Sequence, residues 1–115
     1  MKLSGEGKLL RVFVGESDRL DGKPLFEKIL LSAKEEGMAG VTILRGVAGF
    51  GARSRIHTAK VLRLSEDLPL VLEIVDTEER INEFMTIVDV MFERSGCGGL
   101  ITLERAEVIR YTQGS

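Results

Sequence analysis

Apolar residues in this chain recur with a period of two, then of about 3.6, then of two again, and the whole cycle occurs twice. A period of two places side chains on alternate faces of a strand, and a period of 3.6 lines up one face of a helix. Lys8 to Gly15 alternates, with Leu10, Val12 and Val14 on one side and Leu9, Arg11 and Phe13 on the other. After a polar loop from Asp18 to Lys23, Pro24 fits the first turn of a helix, where its missing N–H costs nothing. Leu25, Phe26, Ile29, Leu30 and Ala33 then form an apolar stripe that ends at Gly37. Val41 to Leu44 is a second strand, and Leu70 to Val75, entered through a Ser65–Leu68 turn and Pro69, is a third. Asp76-Thr77-Glu78-Glu79 reads as a capping box with Asp76 as N-cap and Glu79 three residues on. The helix it opens carries Ile81, Phe84, Met85, Val88 and Phe92 on one stripe and stops at Gly96. Leu100 to Leu103 is a fourth strand, and Ala106 to Tyr111 a further short one.

The order β-α-β, β-α-β predicts an α+β, ferredoxin-like (βαββαβ) fold: a four-stranded antiparallel sheet with two helices on one face. At 115 residues this is one domain, 1–115, with 1–7 and 112–115 expected to be flexible. Leu70, Leu72 and Ile74 point one way, Val71 and Val75 the other, so the uncovered face is also apolar. Such a face predicts self-association, most simply a closed cyclic oligomer with its sheets meeting inside.

Composition removes several function classes. No apolar run is long enough to cross a bilayer, and the first residues lack the pattern of a secretory leader, so the expected location is cytoplasmic. One cysteine, Cys97, and one histidine, His57, are too few for a disulfide framework or a zinc site, although carboxylates suffice for magnesium. The net charge of −2 argues against general nucleic-acid binding. That average hides an asymmetry: no acidic residue occurs from Gly37 to Ser65, a stretch that carries Arg45, Arg53, Arg55, His57, Lys60 and Arg63. Such a stretch is either a solvated basic loop or part of an anion site.

Two glycine clusters bear on that choice. Gly46, Gly49 and Gly51 lie where the second strand gives way to the basic segment, and Gly96, Gly98 and Gly99 lie between the second helix and the fourth strand. Glycines let backbone N–H groups turn inward on phosphate oxygens, and nearby arginines add charge-assisted contacts. Gly96 is equally readable as a helix C-cap, and Gly98-Gly99 as a tight turn. Catalysis finds no foothold. There is no P-loop, Gly49-Phe50-Gly51 lacks the third glycine of a dinucleotide fingerprint, and a triad would depend on the lone His57. Cys97 reads as a plain free thiol. The chain is expected not to be an enzyme.

Gly49-Phe50-Gly51 followed by a basic loop resembles the start of the long loop of PII signalling proteins. Gly96-Cys97-Gly98-Gly99-Leu100-Ile101-Thr102-Leu103-Glu104-Arg105-Ala106-Glu107-Val108-Ile109-Arg110 resembles their glycine-rich turn, last strand and arginine-bearing end. Leu70 to Asp76 is also similar, and the whole is nearest to the uncharacterised PII-like family. The resemblance implies a homotrimer that binds an adenine nucleotide (ADP, ATP or AMP) in clefts between subunits, with magnesium as an optional companion and no obligatory cofactor. The ligand-binding residues it implies are Thr42, Gly49, Phe50, Gly51, Arg53, Gly96, Gly98, Gly99 and Arg110, with one glycine turn from each of two neighbouring subunits. It further implies a reporter loop around residues 50–64, in which Arg53, Arg55, His57 and Lys60 meet a protein partner, a membrane transporter or channel being among the candidates. Ala52, Gly99 and Val108 stand where the nitrogen regulators carry cations, which implies weaker triphosphate binding or a preference for ADP or AMP. The alternative is a structural or interaction trimer without nucleotide, similar to the divalent-cation-tolerance proteins.

Overall fold

The computed structural model describes residues 5–49 and 67–114. Strand β1 (Gly5–Gly15) leads to a two-residue hairpin, β2 (Arg19–Leu20) and β3 (Lys23–Pro24), and then to helix α1 (Leu25–Glu35). Strand β4 (Thr42–Arg45) follows, then β5 (Pro69–Asp76), helix α2 (Glu78–Ser95) and strand β6 (Leu100–Val108). The four long strands form one antiparallel sheet in the order β4-β5-β1-β6. This is the ferredoxin-like arrangement that the two β-α-β cycles predict.

The sheet's two faces separate by register. Leu10, Val12 and Val14 of β1 and Leu70, Leu72 and Ile74 of β5 are buried beneath the helices, meeting Leu25, Ile29 and Ala33 of α1 and Ile81, Phe84, Val88 and Met91 of α2. Met91 therefore belongs to the buried stripe of α2, while Met85 and Phe92 only flank it. The opposite face is more polar than the alternation in β5 suggests. Its margin is apolar, with Leu44 48% and Leu100 55% exposed. At its centre Arg11 pairs with Glu73 on β5 at 2.9 Å and with Glu104 on β6.

Several boundaries differ from the sequence reading for identifiable reasons. The segment 18–23 is not a plain loop. Asp21 (φ 53) and Gly22 (φ 76) form the two-residue primed turn that favours Asp-Gly, and β2 and β3 flank it. Pro24 sits at the N-cap of α1, one residue before its first turn. Thr77, not Asp76, caps α2: its hydroxyl accepts the Arg80 N–H at 3.4 Å. β1 begins at Gly5 rather than Lys8, and β6 is one continuous strand where a short strand and a second fragment were expected. Its second half, Glu104 to Val108, lies on an edge, with Glu104, Arg105 and Glu107 exposed and Ala106 and Val108 half-buried, so no buried stripe marks it.

Candidate functional site

The strand register sorts the sequence-derived site residues to the two ends of the sheet. At one end β4 finishes and delivers Gly46 to Gly49, while α2 finishes and delivers Gly96 to Gly99 into β6. The two turns share this end but lie on opposite edges, separated by β5 and β1. Three strand spacings of about 4.8 Å put roughly 14 Å between them. Arg110 lies past the other end of β6, beyond eight residue steps of about 3.4 Å. Thr42 opens β4 opposite Glu73, exposed on the uncovered face. Phe50, Gly51, Arg53, Arg55, His57 and Lys60 lie outside the described residues.

Each glycine has its own local cause. Gly46 donates its N–H to the Pro69 carbonyl at 2.8 Å, and a Cβ there would lie 2.8 Å from the Pro69 ring. Gly49 has φ +152 and faces the same ring. Gly96 adopts the left-handed C-cap conformation, φ 68, with its N–H on the Phe92 carbonyl at 3.0 Å. Gly99 is closed to any side chain: a Cβ would lie 2.3 Å from one Phe92 ring carbon, 2.7 Å from another and 2.8 Å from the Phe13 carbonyl oxygen. The cation missing at position 99 is thus excluded by packing. The backbone N–H groups of Gly98 and Gly99 form no hydrogen bond among the described residues.

The charges between the two turns oppose an anion lying across them in one chain. Glu16 pairs with Arg45 at 3.0 Å, while Asp18 and Asp67 bond to backbone N–H groups at Gly15 (2.8 Å) and Ser17 (3.0 Å). Burial, reinforced by the nearby Asp67 charge and offset in part by the Gly15 N–H, holds the Asp18 carboxyl above its ordinary value. The hairpin docks onto the C-terminal end of α2. Arg94 donates to Asp21 at 2.6 Å, Lys28 lies 3.6 Å from the same carboxylate, and the Cys97 Sγ sits 3.8 Å from the Arg19 carbonyl. The Arg94 hydrogen bond draws the Asp21 carboxyl below its ordinary value. Cys97 is thereby a half-buried thiol in a structural joint.

Two features escaped the sequence reading. Asp76, fully buried, accepts from the Thr77 N–H (2.7 Å), the Ala39 N–H (2.9 Å) and Arg80 Nε (3.3 Å). Arg80 in turn donates to the carbonyls of Glu36 (3.1 Å) and Gly37 where α1 ends. The Tyr111 hydroxyl donates to the Ala39 carbonyl at 2.8 Å. Both link residues more than 35 positions apart, which local pattern does not encode. Among the described residues no cluster of three metal-ligating side chains occurs, and no helix is long and apolar enough to cross a membrane. The open depression of about 490 Å³ lined by Glu6, Arg105, Ala106 and Glu107 contains none of the candidate residues.

Comparison with known proteins supplies the lineage. The model of a family described as "DUF190: Uncharacterized ACR, COG1993" matches residues 7–108. The chain belongs to the DUF190 family. It is 41% identical over 102 residues to a UPF0166 protein of Aquifex aeolicus, spanning 89% of this chain and 92% of that one. A UPF0166 protein of Methanocaldococcus jannaschii is 30% identical over 105 residues, 91% of this chain and 94% of that one. In fold, this DUF190 chain is similar to CPII of Thiomonas intermedia K12, a nitrogen regulatory PII-like protein in a structure bound to ADP, AMP and bicarbonate. The TM-score is 0.66 at 17% identity, covering 95% of this chain and 92% of that one. The resemblance to PII-like proteins read from the glycine turns thus extends over the whole fold.

Proposed function

We propose that this DUF190 protein is a non-enzymatic, PII-like cytoplasmic signalling protein that binds an adenine nucleotide at clefts between the subunits of a homotrimer. The observation that carries the reading is the Gly98-Gly99 turn, whose backbone N–H groups lack partners among the described residues. It lies at the sheet end where β4 delivers Gly49, but on the opposite edge and across acidic side chains. A second copy of the chain is therefore the means of bringing the two turns to one anion. Arg110 makes no hydrogen bond or ion pair among the described residues and supplies a fork of donors for phosphate. The binding of ADP and AMP by CPII supports the same ligand class here. With no side chain admissible at position 99, fewer charges meet a phosphate tail, which favours ADP or AMP over ATP. Binding at the base of residues 50–64 is read out by that segment to a protein partner.

Thermal unfolding with ATP, ADP, AMP and cyclic nucleotides, each with and without magnesium, tests this. A ligand at 100 times its dissociation constant stabilises the native state by about 2.7 kcal/mol. A shift that vanishes in Arg110→Ala supports the site. No shift with any nucleotide at millimolar concentration removes the nucleotide reading. The closed position at Gly99 favours, in that event, the second reading: an interaction trimer joined through the uncovered sheet face.

A further inference from the structure

We infer that Tyr111 is a positioning residue for Arg110, latching the C-terminal segment to the loop that leads into β4; what Arg110 binds rests on the nucleotide reading above. From Ile109 to Gly114 the chain has no regular structure, and Ile109, Arg110 and 112–114 are all exposed. Tyr111 alone in this segment is half-buried, with its hydroxyl on the Ala39 carbonyl at 2.8 Å. The acceptor is itself a fixed point. The Ala39 N–H is held by the fully buried Asp76, and Arg80 ties the two carbonyls just upstream to the same carboxylate. Arg110 thus hangs between two anchors, the last β6 residue Val108 and Tyr111, with only Ile109 beside it. Its backbone path is set while its guanidinium has no hydrogen bond or ion pair among the described residues. The latch also places the tail against the loop three residues before Thr42, so two candidate ligand residues from opposite edges of the sheet share one tether. A donor held in this way loses less freedom when an anion binds it, which is affinity gained without a contact to the ligand.

Isotherms for ADP and for AMP on the wild type, Tyr111→Phe, Arg110→Ala and the double variant test the role, since Tyr111→Phe deletes only the hydroxyl. The expected result is a loss of affinity of roughly three- to tenfold in Tyr111→Phe, from the loss of one hydrogen bond. In the Arg110→Ala background the same change is expected to cost nothing further. An unchanged affinity in Tyr111→Phe, or an equal loss in both backgrounds, overturns the positioning role while leaving the nucleotide site standing. A wild type that binds neither nucleotide overturns the site itself and the role of Tyr111 with it. Backbone order parameters give a ligand-free check. Residues 109–111 are expected to fall from about 0.8 to below about 0.6 in Tyr111→Phe with the helices unchanged, and an unaltered tail overturns the latch.

Discussion

The two ends of the sheet solve the problem of joining a helix to a strand in opposite ways. At the Asp76 end the α1–β4 connection is held by side chains that reach across the fold: Asp76 takes the Ala39 N–H, Arg80 closes the end of α1, and Tyr111 takes the Ala39 carbonyl. At the glycine end the α2–β6 connection is held by the absence of side chains. Gly96 turns where only a left-handed residue fits easily, and Gly99 lets Phe92 and the Phe13 carbonyl close over it. The first design engages the Ala39 N–H and the carbonyls of Glu36, Gly37 and Ala39 with side chains from elsewhere in the fold. In the second, the N–H groups of Gly98 and Gly99 have no partner among the described residues. The difference lies in what holds each connection: long-range side-chain hydrogen bonds at the Asp76 end, backbone conformation and ring packing at the glycine end.

That contrast breaks most visibly at Asp76. Asp76→Ala leaves two N–H groups without an acceptor at a fully buried position and strands Arg80. We expect a loss of about 3 kcal/mol by denaturant unfolding, less if the half-exposed Arg80 finds water. Hydrogen exchange should quicken first at Ala39. A loss under about 1 kcal/mol would show that the buried carboxylate is not what holds this end.

At the other end, Gly99→Ala forces a methyl against the Phe92 ring and the Phe13 carbonyl, and we expect about 2 kcal/mol of destabilisation. Wild-type stability in that variant would mean that the turn is free to move. Gly96→Ala meets no atom within 4 Å and pays only for its backbone conformation, about 1 kcal/mol, with Gly96→Asn nearer to wild type. Equal losses at positions 96 and 99 would erase the distinction between a cap and a packing contact.

The smallest effect is electrostatic and confined to the glycine end. Carboxyl chemical shifts should show Asp18 titrating above 3.8 and Asp21 below it. The signs oppose each other. As pH falls through its raised value, protonating Asp18 favours the folded state. Asp21 instead contributes stability above its unfolded value, and loses it as pH falls through the depressed one. Arg94→Ala should return Asp21 toward its ordinary value and leave Asp18 where it is. A titration order reversed between the two carboxyls would refute this account.

Periodicity carried the fold because burial on one face imposes it: the stripes at Leu10-Val12-Val14 and at Ile81-Phe84-Val88 are consequences of the sheet and helices they form. Where no residue is fully buried, as along Glu104 to Val108, that signal is absent and the pattern stops short of the strand's end. Asp21-Gly22 carries a hairpin-turn signal, which the short flanks β2 and β3 leave without an alternating pattern to support it. Asp76 reads as a cap because a carboxylate beside Thr77 suits one, and only the fold reveals that it accepts from Ala39 and Arg80 as well as Thr77. Sequence located the glycine turns, yet could not separate Gly99, which is required by Phe92, from Gly98, which is not so explained. The Tyr111 tether depends on two segments 72 residues apart and leaves no local trace.

The closed space at Gly99 also limits how such a protein can change over generations. Substituting Phe92 removes only two of the three obstructing atoms, because the third is the main-chain oxygen of Phe13 and no codon alters it. A lineage starting from this sequence cannot acquire a lysine at that position in one step, or in two, without also shifting strand β1. The route open to it runs through Gly96, where nothing lies within 4 Å and only the backbone resists. Position 99 is therefore buffered against drift by an aromatic ring and a main-chain carbonyl together.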